Sequence, residues 1–228
     1  MTARRPGTLL AIDTSTSLAV VALGSPDALP LAEDRWEAGY RHGEELLARI
    51  DASLDRAGMR VGDVGAIVVG LGPGAFTGLR VGLATAKGLG LALDRPVVGI
   101  PSGLALLDAA GTADGTSAVL LPAGPSDRIL VRRSPDTSDA LLAVRLPPDE
   151  HPEPGLDLLA VDLEGRARRD ALERGRAAQL GLGAALLRLG ARRLALNGAD
   201  DLAGLVPMYV TPPRGVEREV EGVVVASS

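Results

Sequence analysis

The sequence predicts an α/β protein of two lobes built on mixed sheets. Three observations carry that expectation. Three short apolar runs near the start are separated by turn residues, amphipathic helical segments then alternate with further apolar runs, and the pattern weakens beyond Gly111. A length of 228 residues suits one domain with two lobes, read here as residues 1–110 and 111–228. Apolar residues make up 46% of the chain, with one Phe, one Trp and two Tyr, so the core must be built from Leu, Val, Ile and Ala.

The elements follow in order. "TLLAID" and "LAVVALG" are short apolar strands, and "SPDA" supplies turn residues leading into "LPLAEDRW", a third strand of an antiparallel meander. "HGEELLARIDASLDRAG" places Leu46, Leu47, Ile50, Leu54 and Ala57 at helical spacing, with acids in the first turn and Gly58 as a stop. "AIVVG" is a buried strand, and "GLRVGLATAKGLGLALD" is a helix that ends before Arg95-Pro96. "PVVGI" is a strand and "SGLALLDAAG" a short helix. Strands joined through helices run parallel, which gives a mixed sheet. In the second lobe "SAVLLPAG" and "DRILVRRS" pair, Pro135 to Gly155 reads as an irregular connection, and "LDLLAVDL" is a strand. "DALERGRAAQLGLGAALLRLG" is a helix with glycine interruptions, and the tail from Pro207 is extended or loose.

Composition excludes several function classes. A net charge of -5 argues against a protein that holds nucleic acid by itself. The clusters Arg132-Arg133, Arg166-Arg168-Arg169 and Arg192-Arg193 read as solvated faces. Without cysteine there are no disulfides or thiolate metal sites. No apolar run reaches 18 residues and no apolar h-region of a signal peptide follows Arg4-Arg5, so a cytoplasmic chain without membrane contact is expected.

"GLGPGAFTGLRVGLATAKGLG", Gly70 to Gly90, holds seven glycines in 21 residues. Gly70, Gly72 and Ala75 satisfy the minimum dinucleotide signature, but Pro73 interrupts the turn and the expected acid at a following strand end is missing. Lys87 is followed by Gly88 and not by Ser or Thr, which excludes a P-loop. Packing explains the stretch better. Gly78, Gly82, Ala86 and Gly90 recur every four residues and form a nearly smooth stripe along which another backbone can come close.

Asp13 ends the first strand ahead of small hydroxyl residues, where it serves either a metal-bound phosphate or its own turn. His42 and His151 have no second His at i+3 or i+4, so no metal site is expected. Nor can a Ser-His-Asp or Cys-His set be assembled.

In order and spacing, "LLAIDTSTSLAVVALG", "RHGEELLARIDASL", "GLGPGAFTGLRVGLATAKGLGLAL" and "PVVGIPSGLALL" together resemble the TsaB (YeaZ) family, of the ASKHA superfamily of sugar kinases, actin and heat-shock ATPases. The similarity spans residues 8 to 110 and is thin beyond. "PAGPSDR" stands where the family carries Asp-Ala-Arg and a Gly-Glu pair, and Thr211-Pro212-Pro213 stands where an Arg is usual.

The resemblance implies a non-catalytic scaffold and dimerisation subunit. It would pair with the catalytic relative TsaD, and with the ATPase TsaE, in placing threonylcarbamoyl on N6 of adenosine 37 in tRNAs that read ANN codons. TsaD holds metal partly through an H-x-x-x-H pair; Ser102 and Leu106 stand in those places and cannot ligate it. The resemblance also implies that the two first-lobe helices bundle with those of TsaD or of a second copy. That assigns the partner surface to Leu46, Leu47, Ile50, Leu54, Gly78, Gly82, Ala86 and Gly90. An intramolecular core is the other reading of these residues. No cofactor is required, with ATP or ADP at the subunit interface left open and Asp13, Gly72 and Gly74 as its candidate contacts. The rival functions are an independent ATP-binding phosphotransferase of the same fold and a nicotinamide-dependent oxidoreductase.

Overall fold

A computed structural model describes residues 7–38, 42–112, 116–134, 141–209 and 223–225. Strands β1 (Thr8–Asp13), β2 (Leu18–Gly24) and β3 (Pro30–Glu37) form the expected antiparallel meander. Helix α1 (His42–Arg56) and a short 3-10 turn at Val61–Asp63 lead into β4 (Val64–Gly70). Helix α2 (Phe76–Leu93) connects β4 to β5 (Val97–Ile100), and both strands run parallel to β1 in a sheet of order β3-β2-β1-β4-β5. The chain continues through α3 (Ser102–Ala109), β6 (Ser117–Ala123), β7 (Asp127–Arg133), β8 (Leu141–Leu146), β9 (Asp157–Ala160), α4 (Arg169–Asn197) and β10 (Val223–Val225). The second sheet has the order β10-β8-β7-β6-β9, with only β9 parallel to its neighbour.

Two compact units result. The first takes the chain through Leu71, Ala75–Ile100 and Leu182–Pro207; the second takes Gly72–Gly74, Pro101–Gly181 and Met208 onward. A single boundary at 110/111 therefore differs from the grouping by compactness, because α3 packs on β6 and β7 and the second half of α4 packs on the first sheet.

In the first unit, α1 and α2 cover one face of the sheet. Leu10, Ile12, Val21, Leu23, Ile67 and Val69 alternate toward them along the strands, as a half-buried pleat requires. The second half of α4 covers the other face, and it does so through its glycines. A Cβ at Gly190 would collide with Val68, and one at Gly183 would lie 2.9 Å from Ala22 Cβ. The glycines read as interruptions are thus close-packing positions in one continuous helix of 29 residues.

The open edge of β5 is closed by a side chain. Gly99 N–H donates to Asp200 Oδ2 at 2.7 Å, and Asp200 N–H donates to Val97 O at 3.0 Å. Arg193 holds the other carboxylate oxygen at 2.7 Å. Asp200 so takes the place of a neighbouring strand, one way proteins blunt a sheet edge.

In the second unit, Ala118, Leu120, Leu130, Leu146, Ala160, Leu163 and Ala171 form the core on one sheet face. The segment read as irregular, Pro135 to Gly155, contains β8. Its six residues "LLAVRL" lie among prolines that mask the strand pattern, and they pair with β7 from Leu141↔Arg133 to Leu146↔Arg128. The connection from β8 to β9 has no helix. Arg128, buried, donates from Nη2 to the carbonyls of Pro147 and Glu150 and fixes the proline-rich crossover instead. Residues 210–222 of the tail lie outside the described residues, and so do Thr211, Pro212 and Pro213.

Candidate functional site

The turn after β1 is built from its own side chains. Asp13 is fully buried, and its Oδ1 accepts from Ser15 N–H at 2.8 Å and Ser15 Oγ at 2.6 Å. Thr14 Oγ1 donates to Gly78 O at 2.7 Å, and Ala75 N–H donates to Ser15 O at 2.7 Å, so the first turn of α2 is docked on this loop. Asp13 therefore acts as an Asx-type turn former in this geometry.

Gly72, which belongs to the second unit, has φ of 95°. Its N–H donates to Ser102 Oγ at 3.0 Å and its carbonyl accepts from Ser102 N–H at 2.7 Å. Ser102 thus starts α3 by clasping the glycine loop. The backbone groups that a phosphate would use at Gly72 are engaged within the chain. Gly74 lies two residues on, half-buried, in the same loop. Leu106 is fully buried in α3.

The expected partner surface needs correcting residue by residue. Leu46, Ile50 and Leu54 are 1%, 3% and 1% exposed and belong to the core of their own unit. Burying each removes roughly 2 kcal/mol worth of apolar surface from water, so this face is committed to the sheet. The stripe of small residues is likewise turned inward. A Cβ at Gly82 would strike Thr14 Oγ1, one at Gly90 would strike Val97, and Gly78 and Ala86 are buried. The chemistry read from the stripe, close backbone approach, is present, but the approaching element is the chain's own sheet. Of the eight residues, Leu47 alone points outward, at 57% exposure.

The surface the two helices leave uncovered is a different one. On α1 it exposes Glu44, Leu47, Ala48, Asp51, Ala52 and Asp55; on α2 it exposes Arg80, Ala84, Gly88, Leu91 and Ala92. Helices α1 and α2 contact each other, and a Cβ at Gly43 would lie 3.9 Å from Val81 Cγ2 across that contact, so these positions form one broad helical face. A Cβ at Gly88 would meet nothing within 4 Å, and Leu91 is 72% exposed. Small residues at Ala48, Ala52, Ala84 and Gly88 admit close approach of other helices. This signal was present in the sequence: the outward row lies on the side of each helix opposite the buried one.

Elsewhere the charged groups are mostly satisfied locally. Arg132 pairs with Glu153, Arg168 with Asp170, Arg169 with Glu173, Arg174 with Asp157 and Arg176 with Glu164. Of the clustered arginines, Arg132, Arg168 and Arg169, together with Arg193 on Asp200, thus face carboxylates in their own unit. Among the described residues, no cluster of three or more His, Asp or Glu could hold a metal ion, and no helix is long and apolar enough to cross a membrane.

Comparison with known proteins agrees with this architecture. A family model described as "TsaD: tRNA N6-adenosine threonylcarbamoyltransferase" matches residues 36–140. An uncharacterized protein of Mycobacterium tuberculosis is 33% identical over 209 residues, covering 90% of this chain and 92% of that protein. The tRNA threonylcarbamoyladenosine biosynthesis protein TsaB of Escherichia coli is 32% identical over 113 residues, 49% of this chain and 48% of that protein. The structure of YeaZ from Pseudomonas aeruginosa superposes with a TM-score of 0.66 at 24% identity, covering 90% of this chain and all of that one. The two-sheet architecture is that of the ASKHA fold, and the chain belongs to the TsaB (YeaZ) family.

Proposed function

We propose that this chain is the non-catalytic scaffold and dimerisation subunit that binds and activates TsaD in forming N6-threonylcarbamoyladenosine at position 37 of ANN-decoding tRNAs. The observation that carries the reading is the outward face of α1 and α2, rich in small and apolar residues and covered by nothing among the described residues. A helical face of this kind suits a partner that also presents helices. The names of the TsaB relatives and the match to the TsaD family model support this choice of reaction and partner.

Activation would be indirect. If the competent conformation of TsaD offers a better fit to this face than its other conformations, binding shifts TsaD toward it in proportion to that difference in affinity. TsaE and tRNA would meet a surface composed of both subunits. This chain would need no cofactor of its own, since Asp13 and Gly72 are occupied with Ser15 and Ser102. ATP or ADP at the subunit interface belongs to the same proposal.

The test mixes the purified chain with TsaD of the same organism and measures complex formation and tRNA modification. A complex with increased modification is expected; no complex and no gain would sink the reading. Charged substitutions must be placed at Ala84 or Gly88 and not at Leu46, Ile50, Leu54 or Gly82, because the latter would unfold the unit before they reported on a partner.

A further inference from the structure

The first half of α4 is held close to its neighbours at two glycines. A Cβ at Gly175 would strike the Ala160 carbonyl of β9, and one at Gly181 would lie 3.1 Å from Ala109 Cβ at the end of α3. Between these contacts the helix turns Ala177 and Ala178 toward the space beneath it, and their methyl groups are too short to fill it. A cavity of about 210 Å3 remains, with Leu159 and Ala178, both buried, among its apolar lining. It lies wholly within the second unit. Sites for drug-sized ligands run to about 300–1,000 Å3, so this one suits a molecule of few heavy atoms.

The polar groups that line the cavity are mostly acceptors. Thr112 donates its hydroxyl proton to Leu107 O at 2.8 Å, which leaves its oxygen to accept. Asp157 meets Arg174 through Oδ1 at 3.3 Å, and its Oδ2 has no partner among the described residues. Ala109 supplies one of the last carbonyls of α3, beyond the reach of that helix's own N–H groups. The same helix end carries a partial negative charge. Arg174 is already engaged: Nε donates to Leu158 O at 2.9 Å, and Nη2 stands 3.6 Å from Asp170 Oδ2. Two carboxylates set against one guanidinium leave one negative charge in excess.

We propose that this cavity binds a small primary amine in its ammonium form. The three N–H donors of an ammonium match the three acceptors Thr112 Oγ1, Asp157 Oδ2 and Ala109 O. A short alkyl chain covers Leu159 and the two alanines of α4, which removes apolar surface from water. A zwitterion fits less well, because its carboxylate would join Asp157 and Asp170 around a single arginine. The site is independent of the partner surface proposed above, since none of its lining residues belongs to the first unit.

Amide NMR of the full chain, labelled with nitrogen-15, tests the proposal near neutral pH. Four probes of similar size are titrated: n-butylamine, 1-butanol, butyrate and the zwitterion norvaline. For n-butylamine a saturable response with a Kd of about 1–10 mM is expected, in keeping with so few heavy atoms. The shifts should concentrate at residues 109–112, 157–159 and 174–178. The other three probes should bind about tenfold more weakly or not at all, because each lacks the cationic head or adds a carboxylate.

Two variants locate the binding. Asp157→Asn keeps the shape and removes the charge, and should weaken n-butylamine about tenfold. Ala177→Leu fills the cavity from α4 and should abolish binding. Both positions are exposed, and the remaining amide resonances show whether the fold is retained. Butanol or butyrate bound as tightly as the amine, norvaline bound more tightly, an amine affinity unchanged in either variant, or no saturable shift up to about 0.1 M would each overturn the proposal.

Discussion

The two sheets share a plan and differ in how they cross over. In the first, β1, β2 and β3 form a meander and β4 joins β1 in parallel; in the second, β6, β7 and β8 form a meander and β9 joins β6 in parallel. Between meander and parallel strand the first unit places α1, whereas the second has a proline-rich crossover held by Arg128. Under the proposed function, the difference puts the partner surface on the first unit. A helix at that position lies beside α2 and makes a broad helical face, while a crossover of loop leaves the second sheet to be covered by Leu163, Ala171 and their neighbours.

Each comparison can be broken experimentally. The largest effect is expected in the first unit: Ile50→Asp buries a carboxylate in the core between α1 and the sheet and should cost about 4 kcal/mol or more in urea unfolding. A variant of parental stability would show that α1 does not depend on this packing. Gly82→Val forces side-chain atoms into Thr14, and about 3 kcal/mol is expected. Much of that should return in the double variant with Thr14→Gly, and the absence of coupling would refute the contact.

Asp200→Ala removes the acceptor of Gly99 N–H and the partner of Arg193, for which about 2 kcal/mol and faster amide exchange at Gly99 are expected. In the second unit Arg128→Met should cost about 1–2 kcal/mol, loosen residues 147–150 in hydrogen exchange and leave partner binding intact. Loss of binding in that variant would contradict the assignment of the surface to the first unit. The smallest change in stability, within about 0.5 kcal/mol, is expected for Ala84→Arg, which should nonetheless abolish co-purification with TsaD.

Much of the first unit is legible in sequence because its elements are local and strongly patterned. The strands "TLLAID" and "LAVVALG" and the helix from His42 to Arg56 appear where their periodicity puts them. What sequence leaves open is which side of an apolar helix meets the chain itself. Leu46, Ile50 and Leu54 have the chemistry of an interface and of a core alike, and only the sheet beneath them decides. β8 is hidden for another reason: six residues between prolines carry too short an alternation to stand out, and long-range pairing with β7 makes them a strand.

Asp200 and the second half of α4 have a consequence for how the molecule is made. The five strands of the first sheet leave the ribosome early, but the helix that covers one of their faces and the carboxylate that closes β5 come only after the four strands β6–β9. For that interval the nascent sheet exposes Ala11, Ala22 and Val68 and the bare edge of β5. Its completion depends on contacts distant in sequence, which slow folding and prolong exposure to aggregation. A chain stopped after Gly181 should therefore translate normally yet remain a client of chaperones, and pulse proteolysis would show its β1–β5 region open to cleavage.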